Sequence, residues 1–316
     1  MITKFLDDNN ITYDANVLLS KKTWIKTGGI CKFFIKPTNL KQLEDAARFF
    51  YQNGIPLVTI GATSNCFFTS QYSPIAAIST LNLNNITETD SHIICDCGVL
   101  VARLAKDCVA KGYGGFFGLV NLPGTVAAAT YGNAGCFGCS MSVLIEEVTI
   151  LTHDCKILTV SKENLHFSNR SSALKRGELQ GVILSVKLKR IISDKSVEMQ
   201  KSQRATMRRK ATQEPPLKNL GSVYRSLNYR CNARNIFAYS IKALLRLLHI
   251  ANNGMTVYKH IQLWQYGYRY LDRYISDKNI NTFIWIDDDA ENMFGKYQEF
   301  MNKVYKDPIL EIEVKQ

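Results

Sequence analysis

The sequence predicts an α+β protein of two or three domains rather than one doubly wound sheet. Its 316 residues exceed the roughly 100–200 of a typical domain. Its apolar patterns run strand–helix–strand, then mixed strands with helices, then strand–helix–strand again. Its composition is globular: 46% hydrophobic and 21% charged, with 19 glycines and seven prolines in no period. That excludes collagen-like and wholly disordered chains. No apolar run reaches the roughly 18 residues of a membrane-spanning helix. The start, MITKFLDDNNITYDANVLL, lacks the basic and apolar regions of a secretory signal.

Residues 39–53 read as an amphipathic helix, with Asn39 as cap, Gln42 three residues later and Gly54 as the stop. The run IPLVTI that follows, bounded by Gly61, reads as a buried strand. HIICDC (92–97) reads as another strand, and 99–111 as a helix ending at Gly112. The small residues after Pro123 form a short, closely packed helix. Strands follow near 146–152, 156–160 and 181–189. Residues 236–250 read as a helix with Phe237, Ile241, Leu244, Leu245 and Leu248 on one face. TFIWI (282–286) reads as a strand, 289–305 as a helix with Asp residues at its N-terminus, and ILEIEV (309–314) as a last strand.

The formal charge is +12. Between Lys187 and Lys210 nine Lys or Arg stand against Asp194 and Glu198. Such a run is either a solvated helix or linker, or a surface for an anionic partner. No nucleic-acid-binding motif surrounds it. Nine cysteines is an odd number in a chain large enough to build a core, so a reducing cytoplasm is expected rather than a disulfide scaffold. Cys136-Phe-Gly-Cys139 has no second pair at zinc spacing, and the five histidines form no metal pattern, so no metal is expected.

Two loops invite a phosphate. Gly61, Ala62, Thr63, Ser64 and Asn65 follow a strand, where a glycine turn with small polar residues lets backbone N–H groups approach closely. Pro123, Gly124 and Thr125 enter the short helix, with Asn133 and Gly135 beyond it. There Pro123 at the first helical position would pre-set the helix, whose free N–H groups make an anion site. Alone, each loop is a weak signal, since most loops of the first kind are ordinary turns. Glycines 112, 114, 115 and 118 miss the dinucleotide spacing and follow a helix, which excludes a Rossmann fingerprint. Arg170, Ser222 and Glu313 look ordinary one by one, and Glu313 in an alternating strand would face solvent.

In order, these pieces resemble the UDP-N-acetylenolpyruvoylglucosamine reductase (UDP-N-acetylmuramate dehydrogenase) family, in its shorter subtype. Thr23-Trp-Ile-Lys-Thr-Gly-Gly29 is similar to the family's T-x-x-[KR]-x-G-G. Gly61 to Asn65 is similar to G-x-G-S-N, with Thr63 for the second Gly. Leu122 to Gly135 is similar to I-P-G-T-V-G-G-A…N-A-G. Phe167 to Ser172 with Lys175 is similar to F-x-Y-R-x-S-x-F-K. Thr212-Gln213 through Gly221-Ser-Val-Tyr-Arg225 is similar to T-Q-P…G-S-V-F-K, and Leu310 to Lys315 to L-E-P-E-V-R. The resemblance spans residues 20–316. It departs at Asn121, Ala127-Ala128 and Asn169, at Ser226-Leu227 in place of N-P, and around Lys278 to Phe283, where only Phe283 aligns with S-x-K-H-A-N-F-I.

The resemblance implies a two-part FAD-binding domain of the vanillyl-alcohol-oxidase type, at 1–75 and 76–195. A smaller α/β substrate-binding domain would occupy 196–316. It implies FAD as cofactor, held by Gly61, Ala62, Thr63, Ser64, Asn65, Pro123, Gly124, Thr125, Asn133 and Gly135, and NADPH as reductant. The resemblance further implies that a hydride from the reduced flavin would add to one carbon of an enolpyruvyl ether, with charge developing on the carboxylate side as an enolate. By the same resemblance, Arg170 would stabilise that charge, Glu313 in its protonated form would orient the carboxyl, and Ser222 would deliver a proton to the other carbon. Lys210, Lys218, Arg225 and Ser226 would meet substrate, the cations favouring the serine alkoxide. The basic stretch would serve two polyanions, NADPH and a UDP-sugar. The implied setting is peptidoglycan precursor synthesis in the cytoplasm, and through it cell shape, cell cycle and division, by a monomer or weak dimer with no nucleic acid and no membrane insertion. Two other readings remain open: a flavin-dependent paralogue acting on another sugar nucleotide, and a catalytically silent flavin- or nucleotide-binding protein.

Overall fold

A computed structural model describes residues 1–215, 218–248 and 251–316. The chain forms two compact units. The first comprises 1–23, 27–63 and 70–207, the second 24–26, 64–69 and 208–316.

The first unit holds two sheets. In the smaller, Tyr13–Leu18 pairs antiparallel with Ile30–Ile35, which runs parallel to Ala76–Ser79, itself parallel to Leu57–Ile60. All four residues of Ala76–Ser79 are buried, as expected of a central parallel strand. The Leu40–Gln52 helix connects two of these strands. Asn39 accepts from the Gln42 N–H, Gly54 takes the left-handed conformation at φ +62°, and Leu43, Ala46, Ala47 and Phe50 are buried. The larger sheet is antiparallel, in the order Ile157–Ser161, Ile145–Thr152, Gly181–Lys189, His92–Asp96, Ile86–Glu88. The Val101–Lys111 helix ends where expected, at left-handed Gly112. Its buried Leu104, Ala105 and Cys108 join Val148, Ile150, Val186 and Leu188 in one core.

The basic stretch is largely one helix, Lys195–Thr212, whose buried residues are Glu198, Ser202 and Ala205. Glu198 is enclosed as an ion pair: Lys201 Nζ lies 2.8 Å from its carboxylate, and Ser193 Oγ donates to it. Cys136 and Cys139 face each other across a tight hairpin, Gly135–Cys136 with Cys139–Ser140, rather than opening a helix. All nine cysteines are free thiols. Burial pushes Cys95 and Cys97 up to about 12, which leaves them inert near neutral pH.

The second unit packs around an aromatic cluster. Phe283 touches Tyr274, Trp285, Phe294 and Tyr297 at ring separations of 4.7–5.8 Å. That packing explains why TFIWI is not a strand. Phe283 and Ile284 make only single bridges, to Ile275 and Asn219, while Phe283 and Trp285 are buried as ring contacts. ILEIEV is also not one strand. Tyr305–Leu310 pairs antiparallel with Tyr224–Tyr229, and the chain then changes partner, so that Glu313–Lys315 runs parallel to Cys66–Phe68. The expected helix near 236–250 is Ala233–Leu247, and positions 249 and 250 lie outside the described residues. Phe237 and Leu244 on its apolar face are 53% and 55% exposed, and among the described residues of this helix the buried ones are Asn235 and Ala238. Ala290–Val304 is a helix as expected, with Asp289 at its N-cap.

Candidate functional site

Gly61 to Asn65 leaves the Leu57–Ile60 strand through Thr63, whose φ is +52°. Gly61, Ala62 and Thr63 belong to the first unit, Ser64 and Asn65 to the second. A Cβ at Gly61 would lie 2.5 Å from Thr125 Oγ1. The structure therefore brings together the two loops singled out in the sequence, 64 residues apart, with the bare backbone of Gly61 packed against the Thr125 side chain. A glycine here permits that close packing, which a residue with a side chain would not.

The second loop differs from expectation in how it is used. The helix is Val126–Tyr131, its N-cap is Thr125, and Pro123 lies two residues before the cap, not at the first helical position. The first-turn N–H groups are not open to an anion. Val126 donates to Val99 O, Ala127 to Cys97 O, and Ala128 to Thr125 Oγ1. The first turn is thus stitched to residues 97–99, just after the His92–Asp96 strand, and its first three N–H groups are already taken. Gly124 (φ +116°) instead turns its carbonyl to Val101 N–H. Gly135 is buried in the hairpin, where a Cβ would lie 2.4 Å from Cys139 O. Its smallness is explained by that packing.

Asn133 is tied to the protein at both ends of its amide. Nδ2 donates to Ser168 O, and Oδ1 accepts from Ser142 N–H. Its partner Ser168 begins the turn that carries Arg170. Ser168 and Ser171 exchange both backbone bonds, at 3.0 and 3.2 Å, around Asn169 and Arg170. Arg170 sits at φ +55°, uncommon for a residue with a Cβ and disfavoured by about 1–2 kcal/mol. The turn is held in place by buried Ser172, whose hydroxyl donates to Tyr131 O. A strained, anchored, half-buried arginine is a pattern found at functional positions.

In the second unit, Ser222 is half-buried after Gly221 (φ +73°) and before the Tyr224–Tyr229 strand. The next residue, Val223, accepts at its carbonyl from Glu311 N–H at 2.8 Å. Glu311 O in turn accepts from Asn65 Nδ2, and Asn65 O accepts from Glu313 N–H at 2.8 Å. One chain of bonds thus joins the serine segment, the glutamate strand and the end of the glycine loop. Glu313 is half-buried and pairs with Cys66 in a two-stranded parallel sheet.

Arg225 and Ser226 follow on the same strand, both half-buried. Lys210 and Lys218 are exposed. Lys218 O accepts from Trp285 N–H, and Lys210 O is capped by Lys278 Nζ. Sequence reasoning missed Lys278, Asn219 and Asn281. Asn219 Oδ1 receives Gly221 N–H, and Asn281 holds the residues after Ser222. The segment that looked degraded against the family pattern therefore supports the serine. A separate depression lined by His260, Trp264, Arg269 and Asp272 contains none of the predicted site residues. Among the described residues there is no group of three or more His, Cys, Asp or Glu able to hold a metal ion, and no helix is long and apolar enough to cross a membrane.

Residues 31–161 match a family described as "FAD binding domain". The chain is 31% identical over 175 residues to the UDP-N-acetylenolpyruvoylglucosamine reductase of Acaryochloris marina, covering 54% of this chain and 56% of that one. It is 25% identical over 171 residues to reductase 2 of the same name from Bacillus cereus, covering 54% and 55%. The chain thus spans about half the length of these curated relatives. A likeness of fold extends further. The crystal structure of the Thermus caldophilus reductase superposes with a TM-score of 0.70 at 19% identity, covering 97% of this chain and 100% of that one. Residues 31–161 are thus similar to an FAD-binding domain, and the chain shares the fold of the Thermus caldophilus reductase.

Proposed function

We propose that this protein is an FAD-dependent oxidoreductase that uses NADPH to reduce the enolpyruvyl ether of UDP-N-acetylglucosamine enolpyruvate, giving UDP-N-acetylmuramate for peptidoglycan. The observation that carries this reading is the bonded sequence Val223–Glu311–Asn65–Glu313, which ties the serine segment and the glutamate strand to the glycine loop. When bound, FAD supplies the hydride transfer, which side chains alone cannot perform.

The chain's own residues then have separable tasks. The backbone of Gly61, Ala62, Thr63, Ser64 and Asn65 would meet the pyrophosphate, with Pro123, Gly124 and Thr125 shaping the opposite wall. Asn133 and Gly135 would act by holding that region together. Arg170, always charged, would stabilise the negative charge that builds on the substrate carboxylate side. Glu313 would orient that carboxyl group, and Ser222 would deliver the proton to the carbon beside it. A serine hydroxyl is a poor acid, so nearby cations must favour its alkoxide. Lys210, Lys218 and Arg225 would supply that field and, with Ser226, hold the UDP-sugar. Residues 1–75 and 76–195 would form the FAD-binding part and 196–316 the substrate-binding part, in a cytoplasmic monomer or weak dimer.

Incubation with NADPH and the enolpyruvyl sugar should convert the sugar to a product heavier by two hydrogens. NADPH oxidation without that product would favour a paralogue acting on another sugar nucleotide.

A further inference from the structure

A proton donor must be held within roughly 0.5 Å of its working position, and a serine hydroxyl lies only two bonds from the backbone. The placement of Ser222 Oγ is therefore set by the chain at 221–224. The backbone polar groups of Val223 and Tyr224 are fully occupied, and three of the four go to one residue. Val223 N–H donates to Asn281 O at 2.8 Å. Tyr224 N–H donates to Asn281 Oδ1 at 3.0 Å, and Asn281 Nδ2 donates to Tyr224 O at 2.8 Å. The fourth, Val223 O, is taken by Glu311 N–H.

Asn281 thus replaces a neighbouring strand at the point where the serine loop becomes a strand. It is 8% exposed, so water is a poor substitute for these bonds. It is itself fixed, its N–H donating to Asn279 Oδ1 in a loop closed by Ser276. Only a primary amide of this length offers a donor and an acceptor side by side. Aspartate lacks the donor, alanine lacks both, and glutamine is a methylene too long.

We propose that Asn281 is the positioning residue that holds Ser222 for proton delivery. This rests on the reading of Ser222 as proton donor given above. The test uses the flavin-loaded enzyme carrying Asn281→Ala or Asn281→Asp. Reoxidation of reduced enzyme by the enolpyruvyl sugar should slow on the order of 10²-fold, the cost of misplacing a reacting group by about 1 Å. Reduction by NADPH should stay within about twofold. The solvent deuterium isotope effect on reoxidation should rise, and amide hydrogen exchange at 222–225 should quicken while that of the first unit stays unchanged.

Equal slowing of both half-reactions, or unchanged reoxidation, would overturn the role. So would failure of both variants to give flavin-loaded protein, which would make Asn281 a folding residue. A wild-type enzyme that the sugar does not reoxidise would instead bring down the reductase reading, and the role with it. The wild-type control separates these two failures.

Discussion

Ser222→Ala is expected to leave reduction of the bound flavin by NADPH within about twofold of wild type. It should slow reoxidation by the enolpyruvyl sugar about 10²–10⁴-fold, the usual contribution of a placed acid or base. The asymmetry follows from the chemistry. NADPH gives up a hydride without needing a proton from the protein at that step, whereas saturation of the enol ether needs one at carbon. The substitution removes one oxygen from a half-buried side chain and leaves the Val223 and Tyr224 backbone bonds in place. Stopped-flow absorbance of each half-reaction separates the two effects. Equal loss in both would remove Ser222 from proton delivery.

The second large effect is expected at Gly61. A Cβ there would lie 2.5 Å from Thr125 Oγ1, 3.0 Å from its Cγ2 and 3.3 Å from its Cβ, so the branched side chain offers no easy retreat. Thr125 is also fixed as the cap of the Val126–Tyr131 helix. Gly61→Val should force the two loops apart by driving a branched side chain into Thr125. The purified variant should be colourless, with a flavin-to-protein absorbance ratio at least about tenfold below wild type, since a lost close contact of this kind costs roughly 1–3 kcal/mol or more. Far-UV circular dichroism should remain close to wild type. A yellow, stoichiometrically loaded Gly61→Val protein would move the pyrophosphate away from this loop.

Features with a local cause were legible in the sequence. Asn39 with Gln42 marks one helix start, and Gly112 one helix end, because caps are decided by residues within a turn. The two loops at 61–65 and 122–135 stood out for the same reason. What they do depended on partners far along the chain. The first turn of the Val126–Tyr131 helix looked like an anion site until the carbonyls of Cys97 and Val99 took its N–H groups. Glu313 looked like a solvent-facing strand residue, yet its strand partners Cys66–Phe68, on the far side of the chain. Asn281 carried no signal at all: its amide pairs with a backbone 57 residues away. The TFIWI run shows the reverse error, because apolar residues that would suit a buried strand also suit an aromatic cluster.

In the proposed function, reducing power passes from NADPH to an enolpyruvyl UDP-sugar through one bound flavin. The most direct measurement is an anaerobic visible spectrum of the purified protein, first with NADPH and then with UDP-N-acetylglucosamine enolpyruvate in the same cuvette. The expected result is yellow protein that bleaches on the first addition and regains its colour on the second. Protein that is colourless and takes up no added FAD, or that stays bleached after the sugar is added, would contradict it.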